Sequence, residues 1–257
     1  MTDSQSLARA KCSVFIVCCN EEANIARAIS SVSGFDEIVV VDSGSTDHTI
    51  QIARDLGAVV IERPWGGFAD QKAFAMECCS HEWCLNIDAD EMLSNALRDE
   101  VFEVLQRADA VAYDVSINDV IADKPLHRWS RKRSIVRLFK KHCVRYPLDR
   151  SVHENVSVDG RVGRLSSEIV HYGYNDVMTY FAKHVRYAEL RAGDKARKGA
   201  KGSTVKLLLI FPFVFIKVFL FRGLLFSGWR GLIVAANESF YAFAKEAYLM
   251  ARRPSNG

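Results

Sequence analysis

Apolar and polar positions fall into two regimes along the chain. In the first, short and nearly continuous apolar runs alternate with longer stretches of helical spacing. Ser13–Cys19, Glu37–Asp42, Ala58–Glu62 and Trp83–Asp88 read as strands. Glu21–Val32, Thr46–Leu56, Phe68–Cys79 and Ser94–Arg107 read as the helices between and after them. Runs such as Ile38-Val39-Val40-Val41 lack the alternation of a sheet with one wet face, so they predict parallel strands covered on both sides. Ser45-Thr46-Asp47 offers a helix cap, and Gly57 ends that helix one residue before the next strand. The pattern predicts a doubly wound α/β arrangement, whose ligands bind beyond the carboxyl ends of the strands. Asn20, Asp42 and Asp88 all fall at that edge, on three different strands.

The second regime begins after residue 110. Ala110–Ile117, Ser134–Lys140 and Val152–Val158 read as strands joined by irregular basic connections, and Tyr174–Arg191 as a helix. Leu207–Ile216 is an uninterrupted apolar run inside Val205–Phe226, a stretch that also holds Lys206, Pro212, Lys217 and Arg222. Such a run falls short of the roughly 20 residues a spanning helix needs. Lys206 and Lys217 lie close to three helical turns apart, hence on nearly the same face. Two readings fit: an amphipathic helix lying in a membrane interface, or a buried core helix. The flanking charge favours the interface, because Lys183–Lys206 carries 8 basic and 2 acidic residues, a balance suited to anionic headgroups.

Composition adds a compartment and an asymmetry. The chain has 257 residues, 49% hydrophobic and 25% charged, which describes a folded globular protein. Its 7 cysteines include adjacent pairs and show no Cys-x-x-Cys spacing, so buried reduced thiols are expected rather than disulfides or a zinc site. The polar stretch Met1 to Lys11 lacks an apolar signal region. Together these predict a cytoplasmic protein. The net charge of +3 conceals a segregation: residues 1–110 carry 8 Lys/Arg against 19 Asp/Glu, and residues 111–257 carry 26 against 12. A basic second half points to an anionic partner such as a membrane surface, a phosphorylated acceptor or nucleic acid.

The chemistry concentrates in Asp88-Ala89-Asp90, at the end of the run Trp83–Asp88. There Asp88 and Asp90 share one face, because side chains alternate along a strand. Two close carboxylates repel unless a cation lies between them. Oxygen ligands suit Mg²⁺ or Mn²⁺, ions that also bind the oxygens of a diphosphate. Glu91 reads as the start of the following helix.

These motifs, taken in order, resemble the family 2 glycosyltransferases. The resemblance runs through Cys19-Asn20-Glu21-Glu22, Asp42-Ser43-Gly44-Ser45-Thr46-Asp47, Glu62-Arg63-Pro64-Trp65-Gly66, Gln71-Lys72 and Asp88-Ala89-Asp90-Glu91. It continues in Val136-Arg137-Leu138-Phe139-Lys140, Val152-His153-Glu154 and Gly228-Trp229, and so covers roughly residues 12–250. More narrowly the set resembles the bacterial lipopolysaccharide-core β-1,4-glucosyltransferase group. The resemblance implies a GT-A fold: a single Rossmann-like, mostly parallel sheet, followed by amphipathic C-terminal helices. It divides the chain into a nucleotide-sugar-binding half (12–110), an acceptor-binding and catalytic half (111–175) and a basic helical membrane-associating extension (176–257).

It also implies roles. Asn20 and Glu21 lie against nucleoside and ribose, a helix cap being the lesser alternative. Asp42 reads the uracil ring, or else caps the turn through Ser43 and Gly44. Lys72 meets the diphosphate, or is an ordinary snorkelling surface lysine. Asp88 touches ribose and supports the metal, while Asp90 ligates Mg²⁺ or Mn²⁺ directly. Glu154 is the base that takes the acceptor hydroxyl proton in an inverting transfer. Many family members carry Asp at this position; this chain has Glu, as the core-transferase group does. His153 orders diphosphate or metal, or is structural. Between Lys124 and Arg150 there are 10 basic residues and one acidic residue. There Arg128, Trp129, Arg131, Lys132 and Arg133 form an aromatic platform ringed by cations, suited to a sugar face and the phosphates of a lipopolysaccharide-core acceptor. No nucleic-acid-binding module accompanies the patch.

The expected activity is transfer of a hexose, glucose from UDP-glucose, onto the heptose inner core of lipopolysaccharide by an enzyme peripheral to the cytoplasmic face of the inner membrane. Another nucleotide-sugar or another lipid or polysaccharide acceptor is the nearest alternative. A nucleotidyltransferase would need a glycine-rich phosphate loop where Cys19-Asn20-Glu21 stands, and a non-catalytic lipid-binding protein would have no use for Asp88, Asp90 and Glu154 together.

Overall fold

The computed structural model describes residues 9–107, 109–147, 155–173 and 177–251. The chain forms two compact units, Met1–Asn118 with Arg133–Tyr172, and Asp119–Lys132 with Gly173–Gly257. Glu154 and His153 lie outside the described residues.

The first unit opens with β1 (Cys12–Cys18), α1 (Ile25–Ser31), β2 (Glu37–Asp42), α2 (Thr49–Asp55), β3 (Val59–Glu62), α3 (Phe68–Glu77) and β4 (Trp83–Asp88). These four strands are parallel in the order β3-β2-β1-β4. Alternate residues of each strand pack into separate cores. Val14, Ile16, Leu85 and Ile87 join Ile25, Ile29, Leu97 and Leu105 on one face, whereas Phe15, Val39, Val41 and Cys84 join Ala69, Ala75 and Met76 on the other. Two buried faces are the reason the strands read as unbroken apolar runs.

After β4 come β5 (Glu91–Leu93), α4 (Asn95–Arg107), β6 (Ala112–Ile121), β7 (Lys124–Pro125), β8 (Arg133–Lys140), β9 (Val144–Arg145), β10 (Ser157–Val158) and β11 (Val162–His171). The sheet continues β4-β8-β6-β11-β5, with β8 antiparallel to both β4 and β6, and β5 antiparallel to β11. The expected α/β half is therefore present, its parallel part is confined to β1–β4, and the whole sheet is mixed.

Three local expectations are corrected, and one strand is new. The first helix begins at Ile25 rather than Glu21, because the backbone N–H groups of Glu21 and Glu22 donate to the side chains of Thr49 and Asp47. Helix α2 begins at Thr49, where Asp47 accepts from the Thr49 N–H at 3.0 Å; Thr46 N–H is instead taken by Asn20 Oδ1 at 2.8 Å. Glu91 starts a short strand, not a helix, and is buried. Strand β11 has only Leu165, Ile169 and His171 fully buried along its 10 residues, a pattern too sparse to read as a strand.

The second unit is helical: α5 (Val177–Arg197), α6 (Thr204–Ile216), a π-helical turn (Lys217–Phe221), a 3-10 turn (Leu224–Ser227) and α7 (Trp229–Ala251). Both α5 and α6 pack on α7, around a small core of Ile121, Leu126, Val218, Leu224, Val234 and Ala235. The apolar run Leu207–Ile216 is part of a longer continuous segment, Thr204–Phe221, of 18 residues, long and apolar enough to cross a membrane by length and composition. The sequence count came out shorter because it stopped at Lys217, which the helical backbone does not.

Candidate active site

The strand register sets the site. Asp42 pairs across from Cys18, and Asp88 from Val17, so the ends of β1, β2 and β4 meet at one edge. Beyond that edge two loops are knitted together. Asn20 sits at φ 55°, a left-handed conformation that Asn tolerates better than most residues. Its N–H donates to Ser45 Oγ at 2.7 Å. Glu21 N–H donates to Thr49 Oγ1 at 2.8 Å, and Glu21 Oε2 accepts from Asn24 at 2.8 Å. Asp42 is fully buried; its Oδ1 accepts the N–H groups of Gly44 at 2.8 Å and Ser45 at 2.7 Å, and its Oδ2 accepts from the Ser45 hydroxyl. Gly44, at φ 97°, supplies the backbone this turn needs. Geometrically, then, Asp42 is a turn cap that shapes the loop carrying Ser43–Ser45.

Lys72 is not a surface lysine. Helix α3 buries it, and its ammonium meets Asp88 Oδ1 at 2.7 Å. Next to it Gln71, fully buried, donates to Ser43 Oγ, Arg63 O and Pro64 O and accepts from Arg63 at 2.7 Å, fixing the start of α3 to the loop after β2.

Arg137 is the residue the sequence left unassigned. It points from β8, 2% exposed, into a cluster of carboxylates. Its Nη2 donates to Asp88 Oδ2 at 2.7 Å and Glu91 Oε1 at 2.6 Å, and its Nη1 to Asn86 Oδ1 at 2.6 Å. Glu91 Oε2 in turn accepts the Asp88 N–H at 2.9 Å. Burial alone would push the Asp88 carboxyl up, but Arg137 and Lys72 hold it well below the usual carboxylate range. For Glu91 burial prevails and, with the Asp88 charge adding to it, pushes the carboxyl up against the pull of Arg137. Its motif, Val136-Arg137-Leu138-Phe139, was the available signal: a charge between residues with strand spacing has to be buried and paired.

Asp88 and Asp90 part company. Strand β4 ends at Asp88, and Ala89-Asp90 form a turn, so the alternation that would place both carboxylates on one strand face does not apply. Asp90 faces His171 instead, with Oδ2 3.3 Å from Nε2. The pairing of β11 with β5 puts His171 opposite Glu91, and Tyr172 N–H donates to the Asp90 carbonyl at 2.8 Å. The Arg27 guanidinium lies 3.7 Å over the Tyr172 ring, which holds this end of the strand down.

A divalent cation fits this donor set in one way. Both oxygens of Asp88 are engaged by Lys72 and Arg137, whereas Asp90 and His171 present an oxygen and a nitrogen side by side. Among the described residues there is no cluster of three or more His, Cys, Asp or Glu of metal-binding geometry. Two protein ligands with the remainder from phosphate and water is the habit of Mg²⁺ and Mn²⁺ sites that hold a diphosphate.

The aromatic platform lies in the second unit. Trp129 is 60% exposed, with the Arg128 guanidinium 5.5 Å from its ring and Phe226 edge-on at 5.0 Å. Arg131 N–H donates to Arg222 O at 2.8 Å and the Ser130 hydroxyl to Gly223 O at 3.2 Å. Gly223, at φ 70°, leaves no room for a side chain, since a Cβ there would stand 2.6 Å from the Trp129 carbonyl. Arg133 belongs to the first unit, where it begins β8.

Comparison with known proteins gives this geometry its family. Residues 13–165 match the model of glycosyl transferase family 2. The chain is 34% identical over 253 residues, covering 93% of its own length and 92% of the relative's, to the lipopolysaccharide core biosynthesis glycosyltransferase LpsC of Rhizobium meliloti. It is also 34% identical, over 93% of its length and 86% of the relative's, to an uncharacterized glycosyltransferase of Rickettsia typhi. The crystal structure of S. aureus TarS 1–349 in complex with UDP superposes with a TM-score of 0.50 over 93% of this chain and 91% of that one, at 16% identity, a likeness of fold. Neither the nucleotidyltransferase reading nor the non-catalytic one survives these matches. Its motifs, its mixed GT-A sheet and its relatives agree: the chain is a glycosyltransferase and belongs to glycosyl transferase family 2.

Proposed function

We propose that this enzyme transfers a hexose, glucose from UDP-glucose, with inversion onto the heptose inner core of lipopolysaccharide, at the cytoplasmic face of the inner membrane. The observation that carries the reading is the division of labour after β4: Asp88 is held ionised by Lys72 and Arg137, while Asp90 and His171 stand together in the adjoining turn. In this reading Asp90 and His171 hold Mg²⁺ or Mn²⁺, which when bound neutralises charge on the departing diphosphate. The loops of Asn20–Glu21 and Asp42–Ser45 receive the nucleoside, with Asp42 setting the loop shape, and Asp88 contacts the ribose. Glu154 takes the proton of the attacking hydroxyl, with His153 beside it in sequence, and Trp129 with Arg128, Arg131 and Arg133 receives the sugar and phosphates of the acceptor. Similarity to a core biosynthesis enzyme along nearly the whole chain supports the acceptor class.

A panel of UDP- and other nucleotide-sugars incubated with core-truncated lipopolysaccharide tests it. The expected result is β-linked transfer from UDP-glucose that EDTA stops and Mn²⁺ restores. Transfer unaffected by EDTA would remove the metal, and transfer only from another donor would replace glucose. Glu154→Gln should lower the rate about 10²–10⁴-fold while leaving UDP affinity unchanged by calorimetry. Survival of the rate would place the base elsewhere.

A further inference from the structure

No step of the transfer uses the motif Glu62-Arg63-Pro64-Trp65-Gly66. It leads out of β3, whose last residue, Glu62, pairs in register with Asp42 at the end of β2. Arg63 N–H donates to the Asp42 carbonyl at 2.9 Å, so the loop after β3 starts against the loop Asp42–Ser45.

The loop is clamped from two sides. The buried Gln71 side chain donates to Pro64 O and to Ser43 Oγ, each at 3.1 Å, and so ties the two loops together through a single amide. Arg63 pairs with Asp70 at 2.7 Å, donates to Gln71 Oε1 at 2.7 Å and lays its guanidinium 4.5 Å from the Phe74 ring centroid. Asp70 in turn fills the space beside Gly66, where a Cβ would overlap its Oδ2. Trp65 stands between Pro64 and Gly66, and its Cα follows that of the clamped Pro64 by about 3.8 Å.

At this tip Trp65 is 50% exposed, its ring meeting Phe68 edge-on at 4.7 Å. A single exposed apolar residue needs no explanation by itself. Here, however, a flat indole is displayed by a loop locked to the residues that receive the nucleoside. Along the sheet order β3-β2-β1-β4, Trp65 and Ser43 follow the two strands at one side, whereas Asp88, Asp90 and the diphosphate end of the site follow β4 at the other. A nucleoside diphosphate laid across that edge has its base on the β3 side. In that orientation the donor's hexose, joined beyond the diphosphate, lies toward β4.

We propose that Trp65 is the stacking platform for the nucleobase of the donor, a contact that sets donor affinity and takes no part in the transfer step. Every base has a π-face, and stacking on an aromatic side chain strengthens binding about tenfold or more. The inference rests on the donor-site reading above and adds to it a residue that the base touches.

Titration of the full-length protein with UMP, UDP and UDP-glucose, and with GDP and ADP, tests it by calorimetry and tryptophan fluorescence. UDP should quench the wild type, and Trp65→Phe should lose that quenching while retaining most of the affinity. Trp65→Ala should weaken UMP, UDP and UDP-glucose by the same factor, about tenfold or more, because the base is common to all three. In transfer assays its KM for the donor should rise by that factor with kcat unchanged, the signature of uniform binding. Both variants should unfold close to the wild-type temperature, since the side chain is half-exposed. Unchanged affinity in Trp65→Ala would overturn the proposal, and so would a loss confined to UDP-glucose, which would set the indole against the hexose. A wild type that binds GDP or ADP in place of UDP, with the same loss in Trp65→Ala, would remove uridine from the donor-site reading and leave the platform standing. A wild type that binds none of these nucleotides would overturn both.

Discussion

The two units handle charge and apolar surface in opposite ways. In the first, which holds most of the acidic sequence, the decisive charges are buried: Lys72, Arg137 and Glu91 are at most 5% exposed, and they meet one another through Asp88. In the second, basic residues gather along α5 (Lys183, Arg186, Arg191, Lys195 and Arg197), and it is the large apolar side chains of α6 that face outward. A buried charge is tolerated only with partners in fixed geometry, so the first arrangement makes a rigid site. Exposed apolar surface has no partner within the unit, so the second points to something outside it.

Arg137→Ala should break the first arrangement most severely. It leaves Asp88 with Lys72 alone and Glu91 without its cation, and loss of one partner from a buried ion cluster costs about 3–5 kcal/mol. Chemical denaturation reads this directly; a loss below about 1 kcal/mol would mean that the cluster is not holding the fold. Asp90→Asn separates stability from chemistry inside the same unit. Its side chain lies in a turn and faces His171, so stability should change little while turnover falls about 10²–10³-fold. Near wild-type turnover in the purified variant would remove Asp90 from the metal-binding pair.

In the second unit Gly223→Ala should cost about 1–2 kcal/mol, since it combines a left-handed backbone with a Cβ directed at the Trp129 carbonyl. UDP affinity should be unaltered, and a stability equal to wild type would show that the turn relaxes freely. The smallest effect expected is in acid. The folded Asp88 carboxyl lies well below its unfolded value of about 3.9, so its contribution is complete above that pH and disappears as pH falls toward the folded value. The slope it adds is at most about 1.4 kcal/mol per pH unit, and less in practice because its side chain is 36% exposed and screened. Asp88→Asn should flatten stability against pH below about 4; an unchanged slope would assign acid sensitivity to other carboxylates.

Much of the first unit was legible because its strands are buried on both faces, and a run such as Ile38–Val41 can hardly be read otherwise. Strand β11 escaped, since sparse burial leaves no period to detect, and with it went His171. Arg137 stood in plain view within its motif without a role. A sequence shows that a charge sits in an apolar strand but not which carboxylates will meet it. The Asp88 and Asp90 pairing was misjudged for a related reason: where a strand ends is settled by its neighbours, here the β5–β11 pairing that turns the chain at Ala89.

By itself the sequence determined the α/β order, the strand-end residues Asn20, Asp42 and Asp88, the family motifs and the segregation of basic residues into the second half. These follow from local periodicity and composition, which need no knowledge of distant contacts. The tertiary structure alone decided that Lys72 is buried against Asp88, that Asp90 belongs with His171, and that α6 is fastened at both ends to α7 with its apolar stripe left outward. Each depends on residues far apart in the chain, and only folding brings opposite charges within 4 Å or decides which face of a helix stays uncovered.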